Sequence, residues 1–171
     1  IDRATGKIWA RKFTIAHDCG QIINPDGLLN TIEGNIVQGV SRTLWEEVKF
    51  DSNGVTSIDW MTYPILDISE TPQAIDIVLI DHPELPPTGA GEPSIRPLAA
   101  AIANAIFDAT GVRLRRVPFS PDRVKQALSW AARLKPKRTI LTHMTSELDY
   151  QKLANELPEG VEPAYDGMVV T

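Results

Sequence analysis

Apolar positions recur along this chain with two periods, and each change of period marks an element. Ile8 to Ala16 alternates and is rich in β-formers around Phe13, Thr14 and Ile15, which predicts a strand. It runs into a turn at His17-Asp18-Cys19-Gly20. Asn24-Pro25 then predicts a helix start, with Asn24 as N-cap and Pro25 at the first helical position. That helix carries Leu28, Ile32, Ile36, Val40 and Leu44 at a spacing of four, and Val37 and Trp45 widen the stripe. Lys49 to Val55 reads as a hairpin turned at Asn53-Gly54. Ile75 to Ile80 reads as a compact strand, with an irregular crossing around Tyr63-Pro64-Ile65 before it. The next helix has few polar interruptions (Arg96, Asn104, Asp108) and stops at Gly111, so it is expected to be largely buried. Pro93 suits its first position, and Pro97 fits only within its first turn. A short extended piece, Arg113 to Val117, leads to another helix opened by Ser120-Pro121-Asp122, with Val124, Ala127, Leu128 and Ala131 on one face.

The style of the sequence changes after that helix. Lys135-Pro136-Lys137-Arg138 is a basic turn, Thr139 to Thr142 a strand ending at His143, and Ser146 to Asp149 a helix start. Val161 to Val170 reads as a terminal strand with a turn at Asp166-Gly167. The fold class is α+β. Residues 1–127 form a mixed sheet with packed helices, and residues 128–171 form a short β-α-β tail.

Two places carry candidate chemistry. On the first helix, Thr31, Gly34, Gln38 and Arg42 recur at three and four, opposite the apolar stripe. Gly34 costs a helix about 1 kcal/mol against Ala. Two readings of this face stand: a solvated polar face, or a glycine that admits a close neighbour to which Gln38 presents its amide. The second place is Pro87-Thr88-Gly89-Ala90-Gly91-Glu92-Pro93-Ser94, where a glycine turn delivers a carboxylate to the mouth of the apolar helix. With Pro93 as the first helical residue, Glu92 would sit at the positive end of the helix dipole, a favourable place for a base. The alternative is a plain acidic cap. The segment fails three familiar glycine motifs. Ser94 stands where a dinucleotide fingerprint needs its third glycine, no Gly-Lys-Ser/Thr follows, and no serine holds the nucleophile-elbow position.

Composition narrows the function. A net charge of −5 over 171 residues, with no basic block, gives no footprint for nucleic acid. No stretch approaches the ~18 consecutive apolar residues of a membrane span, and none reads as a targeting signal, so the compartment is not legible. Cys19 is the only cysteine, and His17, His82 and His143 lie far apart, so no local metal site is signalled. The opening Asp2-Arg3-Ala4-Thr5-Gly6-Lys7 resembles a turn between strands, which is expected of a chain that begins inside a larger polypeptide.

Three blocks together carry a family resemblance: His17-Asp18-Cys19-Gly20 with Asn24-Pro25; Ile32-Glu33-Gly34-Asn35-Ile36-Val37-Gln38-Gly39; and Gly89-Ala90-Gly91-Glu92-Pro93. In their order and spacing, residues 1 to about 127 resemble the C-terminal end of the molybdopterin-binding large subunit of the xanthine dehydrogenase and aldehyde oxidase family, in its isoquinoline oxidoreductase or nicotinate dehydrogenase branch. The resemblance implies hydroxylation of N-heterocycles or aldehydes with water as oxygen source. It makes Glu92 the general base that takes a proton from a hydroxyl on molybdenum. It makes Gln38 a contact of the molybdopterin, with Gly34 and Gly39 permitting close approach and Gly89, Ala90 and Gly91 beside the molybdenum. The implied partners are the remainder of the large subunit, an iron–sulfur subunit, and a small heterocyclic or aldehyde substrate. One cysteine cannot hold a cluster that needs about four ligands, and this chain alone is expected to be inactive.

Residues from about 128 onward are similar to the end of a metallo-β-lactamase-fold hydrolase of the cyclic-phosphodiesterase-like branch, through Leu134 to Met144, Leu148-Asp149-Tyr150 and Glu162 to Met168. That resemblance makes His143 a lone candidate metal ligand, lacking the earlier ligand cluster of such a site. A chain joined near Ala127 from two parents accounts for both resemblances. The competing expectations are a metal-dependent phosphodiesterase and a non-enzymatic small domain, which metal content after purification separates.

Overall fold

The computed structural model describes residues 1–134, 139–141 and 161–163. It divides into two units, Ile1–Ser129 and Trp130–Thr171. In the larger unit, strand β1 (Lys12–Asp18) lies parallel to β4 (Ala74–Ile80), Lys12 opposite Ala74 and Asp18 opposite Ile80. Helix α1 (Pro25–Leu44) connects β1 to a two-residue-per-strand hairpin, β2 (Phe50–Asp51) and β3 (Gly54–Val55). Helix α2 (Leu98–Thr110) follows β4, and α3 (Pro121–Leu134) follows α2. In the smaller unit, β5 (Thr139–Leu141) pairs in parallel with β6 (Val161–Pro163). The basic turn, the helix expected from Ser146, the turn at Asp166-Gly167 and His143 lie outside the described residues.

The core forms around α1. Leu28, Ile32, Ile36, Val40 and Leu44, the predicted stripe, are all buried, with Ile32, Ile36 and Val40 at 0–1% exposure. The sheet-facing residues Phe13, Ile15, Ile75, Ile77 and Leu79 pack on this cluster, as do Leu98, Ile102 and Ile106 of α2. Asn24 caps α1 as its sequence predicts, its Oδ1 accepting from the Gly27 amide at 2.9 Å. The hairpin also forms as predicted, with Asp51 Oδ1 accepting from Asn53 N at 2.7 Å. Phe119 is buried and its amide donates to the Thr43 carbonyl, and Arg123 reaches Glu47 at 2.5 Å, which ties the start of α3 to the end of α1. The hydrogen bond and charge of Arg123 hold the Glu47 carboxyl below the ordinary range.

Four expectations are corrected. The chain mixes α and β as expected, but among the described residues the strands form three separate two-stranded sheets, β1–β4, β2–β3 and β5–β6, instead of one mixed sheet. The first strand begins at Lys12, four residues later than Ile8, and extends through His17 and Asp18, where the sequence predicts a turn. The apolar helix begins at Leu98, with Pro97 as its N-cap. Residues 93–97 are turns instead, with Ile95 N donating to Glu92 O and Leu98 N to Ile95 O. Two prolines within five residues each suit a helix start, and the later one takes it. Only Leu98, Ile102, Ala103 and Ile106 of α2 are buried, so its alanine-rich remainder faces outward. Among the described residues no helix is long and apolar enough to cross a membrane.

The larger unit leaves several large apolar side chains open to solvent. Phe50, Ile58, Trp60 and Met61 are 76–89% exposed within one short stretch of chain, and surface of this kind promotes association. The 171-residue chain in isolation is expected to self-associate in sedimentation velocity, and a Trp60→Ser/Met61→Ser variant to shift toward monomer. A sharp unfolding transition independent of protein concentration would count against this.

Candidate functional site

The two parallel strands end side by side, and the segments that leave them are laced together. Asp18 Oδ1 accepts from the Gly20 amide at 2.9 Å, and Asp81 Oδ1 from the Ile22 amide at 3.1 Å. Thr88 N donates to Cys19 O at 2.8 Å, and Gln21 N to Leu85 O and His82 N to Gly20 O at 3.3 Å each. Gly20 takes a positive φ of 73°, and a β-carbon there would collide with the Pro86 carbonyl. Glycine is therefore required at this crossing on two counts. The lacing brings residues 86–91 against the first turns of α1. Between them lies a cavity of about 390 Å³ whose lining includes Asn24, Gly27, Thr31, Thr88, Ala90 and Gly91.

Beyond the cavity, the chain bends at Glu92. Asn35, half-buried on α1, donates from Nδ2 to Gly91 O at 2.6 Å and to Ser94 Oγ at 2.9 Å. Ser94 is buried, whereas Gly89, Gly91 and Glu92 are exposed. Glu92 lies six residues ahead of Leu98 and so is not at the helix mouth. The dipole effect fades within one turn, so the dipole of α2 does not reach Glu92.

The other sequence-predicted residues divide by face. Gly34 and Gln38 are exposed on α1, one turn apart, and nothing lies within 4 Å of where a Gly34 β-carbon would be. Gly39 is buried beneath Leu98 and Ile95, so the close approach it permits is that of the α2 segment. Asn35 and Ser94 carry no role that the sequence alone reveals. A polar pair separated by 59 positions leaves no local signal. His17 is buried and its Nε2 has no hydrogen-bond partner among the described residues. It lines, with Ile36, Ser94 and Pro97, a second cavity of about 440 Å³.

At the exits of β1 and β4 stands one charged cluster. His82 Nδ1 lies 2.9 Å from Glu84 Oε1, and Nε2 lies 3.5 Å from Asp18 Oδ2. The Glu84 hydrogen bond, then the Asp18 charge, raises the His82 pKa above its ordinary value. The Glu84 pKa is lowered by its own backbone amide and then by His82. Among the described residues no group of three His, Cys, Asp or Glu side chains is placed to hold a metal ion.

Residues 1–72 match the family model of the molybdopterin cofactor-binding domain. These residues are thus similar to a molybdopterin cofactor-binding domain, and the relatives below extend the similarity to proteins of the xanthine dehydrogenase/aldehyde oxidase kind. The chain is similar to a subunit of the nicotinate dehydrogenase of Pseudomonas putida, 46% identical over 128 residues, which are 75% of this chain and 11% of that protein. It is also similar to the aldehyde oxidoreductase of Megalodesulfovibrio gigas, 33% identical over 132 residues, 75% of this chain and 14% of that protein. The crystallised aldehyde oxidoreductase from Desulfovibrio gigas superposes with a TM-score of 0.67 at 32% identity, covering 75% of this chain and 14% of that one. The chain thus spans 11% and 14% of the length of the two curated relatives named.

The two helix glycines should respond oppositely to substitution. Gly34→Ala is expected to raise stability by about 0.5–1 kcal/mol, since the helix gains and no neighbour is displaced. Gly39→Ala lowers it, because Leu98 and Ile95 must move; urea unfolding of both variants reads the difference. For His82, a pKa raised in the folded state gives a contribution fully present below the ordinary imidazole value and lost as pH rises through the folded one. The lowered Glu84 gives the converse, a contribution lost as pH falls. In NMR titration the His82 midpoint should stand above ~6.5 and fall back toward it in Glu84→Gln.

Proposed function

We propose that the larger unit serves as part of a molybdenum hydroxylase that oxidises N-heterocycles or aldehydes with water as the oxygen source, Glu92 being its general base. The observation that carries this is the placement of Glu92 on an exposed bend fastened to α1 through Asn35, in a chain whose residues 1–72 match the molybdopterin cofactor-binding domain. A base must hold its carboxylate at a fixed point while remaining accessible to the reacting groups.

The residues present fit a large cofactor on one side of α1. Gly34 leaves open space, Gln38 is exposed one turn along with both a donor and an acceptor, and the Gly89 and Gly91 positions have nothing within 4 Å of an added β-carbon. In this reading Gln38 contacts the molybdopterin, Gly34 admits it, and Gly89, Ala90 and Gly91 border the molybdenum; Gly39 instead serves packing. The bound group supplies the two-electron redox chemistry. Glu92 receives the proton released during attack on the substrate carbon, and the loop holds the Glu92 backbone in place while it does so. The partners required are the remainder of a large subunit and an iron–sulfur subunit to carry electrons away, since Cys19 is a single buried thiol.

The segment from about residue 128 onward is read as a second parent's contribution, of hydrolase type. Support comes from its resemblance, from the division of the chain after Ser129, and from relatives that match about three quarters of the chain. Sequencing the encoding DNA across Asp122 to Lys135 tests the joint.

In the cofactor-loaded enzyme that contains this sequence, Glu92→Gln should lower turnover about 10²–10⁴-fold. Molybdenum and pterin content should remain unchanged. Retention of turnover with full cofactor would remove Glu92 from the role of base.

A further inference from the structure

We propose that Asn35 is the positioning residue for Glu92: its side-chain amide clasps the chain on both sides of the glutamate and so fixes where the carboxylate stands. The proposal rests on the reading of Glu92 as the base, and adds a residue that acts through it.

The geometry is specific to an amide. One Nδ2 carries two hydrogens, and each has its own acceptor, Gly91 O at 2.6 Å and Ser94 Oγ at 2.9 Å. Gly91 immediately precedes Glu92, and Ser94 is two residues beyond it. Since the Gly91 carbonyl can only accept, the group facing it must be the NH₂ end of Asn35. Both ends of the clasp are anchored. Asn35 is followed in α1 by Ile36, which is 1% exposed, and Ser94 is 6% exposed. The bend is closed within the clasp by Ile95 N donating to Glu92 O at 3.1 Å. Around it, a β-carbon added at Gly89 or Gly91 would meet nothing within 4 Å, and Glu92 is exposed. Without Asn35 the bend would lose the side-chain hydrogen bonds that tie it to α1, and would be held by the Thr88–Cys19 hydrogen bond and by the packing of Ala90 and Ile95. A loop of this kind with its side-chain fastening removed opens locally, at a free energy well below that of global unfolding.

A role in packing alone and a role through hydrogen bonding are separable by substitution. Asn35→Asp keeps the shape but turns an oxygen toward the Gly91 carbonyl, so both donors are lost. Asn35→Ala removes shape and donors together. Hydrogen–deuterium exchange on the full chain, which needs no cofactor, reads the clasp directly. Both variants should exchange about tenfold faster or more across residues 88–97, with α1 and α2 unchanged. In the loaded enzyme both should lower kcat about tenfold or more at nearly unchanged KM, because a displaced base weakens only the reacting step. Wild-type exchange in Asn35→Asp would overturn the hydrogen-bond clasp. Faster exchange with wild-type kcat, in an enzyme that Glu92→Gln inactivates, would overturn the positioning role while leaving Glu92 as base. Wild-type kcat in Glu92→Gln would remove the base itself and the positioning role with it, and the exchange result would still report whether the clasp exists.

Discussion

Everything described for the larger unit depends on the burial of one helical stripe. Ile32, Ile36 and Val40 lie at the centre of α1 with essentially no solvent contact, and Leu28 and Leu44 extend the stripe to both ends. Each such side chain contributes about 1.5–3 kcal/mol by leaving water. The β1–β4 pair and α2 both pack on this stripe, so α1 is the common reference for elements that do not belong to one sheet. Because the stripe fixes the rotation of α1 about its axis, it also fixes which residues face out. Asn35 stands at the border of the buried and open faces, where it can reach the 91–94 bend. Gln38 and Gly34 stand beyond it in solvent.

The second constraint is the parallel pairing of β1 and β4. Parallel strands end at the same edge, and their following segments must leave from neighbouring points. Here those segments are joined by backbone hydrogen bonds between residues 19–21 and 82–88, and the carboxylates of Asp18 and Asp81 cap amides within the same seam. The glycine-rich loop begins at that seam. Its position is therefore inherited from strand register on one side and from the α1 stripe on the other, and the loop needs little internal structure of its own.

What can be read from the sequence is what is local. The α1 helix, its Asn24 cap, the hairpin at Asn53-Gly54 and the strand near Ile75 to Ile80 are each written in spacing and turn chemistry within a few residues. The start of α2 is not legible in this way, because Pro93 and Pro97 satisfy the same local rule. The choice between them rests on Leu98, which inserts against Gly39 from far along the chain. The sequence suggests a mixed sheet because strand segments are visible in it but their partners are not. Pairing β1 with β4 joins positions about sixty residues apart. The candidate site shows the same division. Glu92, Gln38 and the glycines stand in motif blocks. The Asn35–Ser94 contact has no sequence period to reveal it.

The glycines also separate scaffold from surface. At Gly20 and Gly39 an added β-carbon would strike neighbouring atoms, so the fold itself explains them. Gly34, Gly89 and Gly91 are different, since each faces open space and none has a positive φ. Nothing inside the unit needs glycine at these three positions, and at Gly34 it weakens the helix. They border the face on which Gln38 is exposed and the bend that carries Glu92. Under the proposed function, such residues are accounted for by something that approaches from outside. A cofactor lying along this side of α1 would use that open space, and under the proposed function it gives all three glycines one common cause.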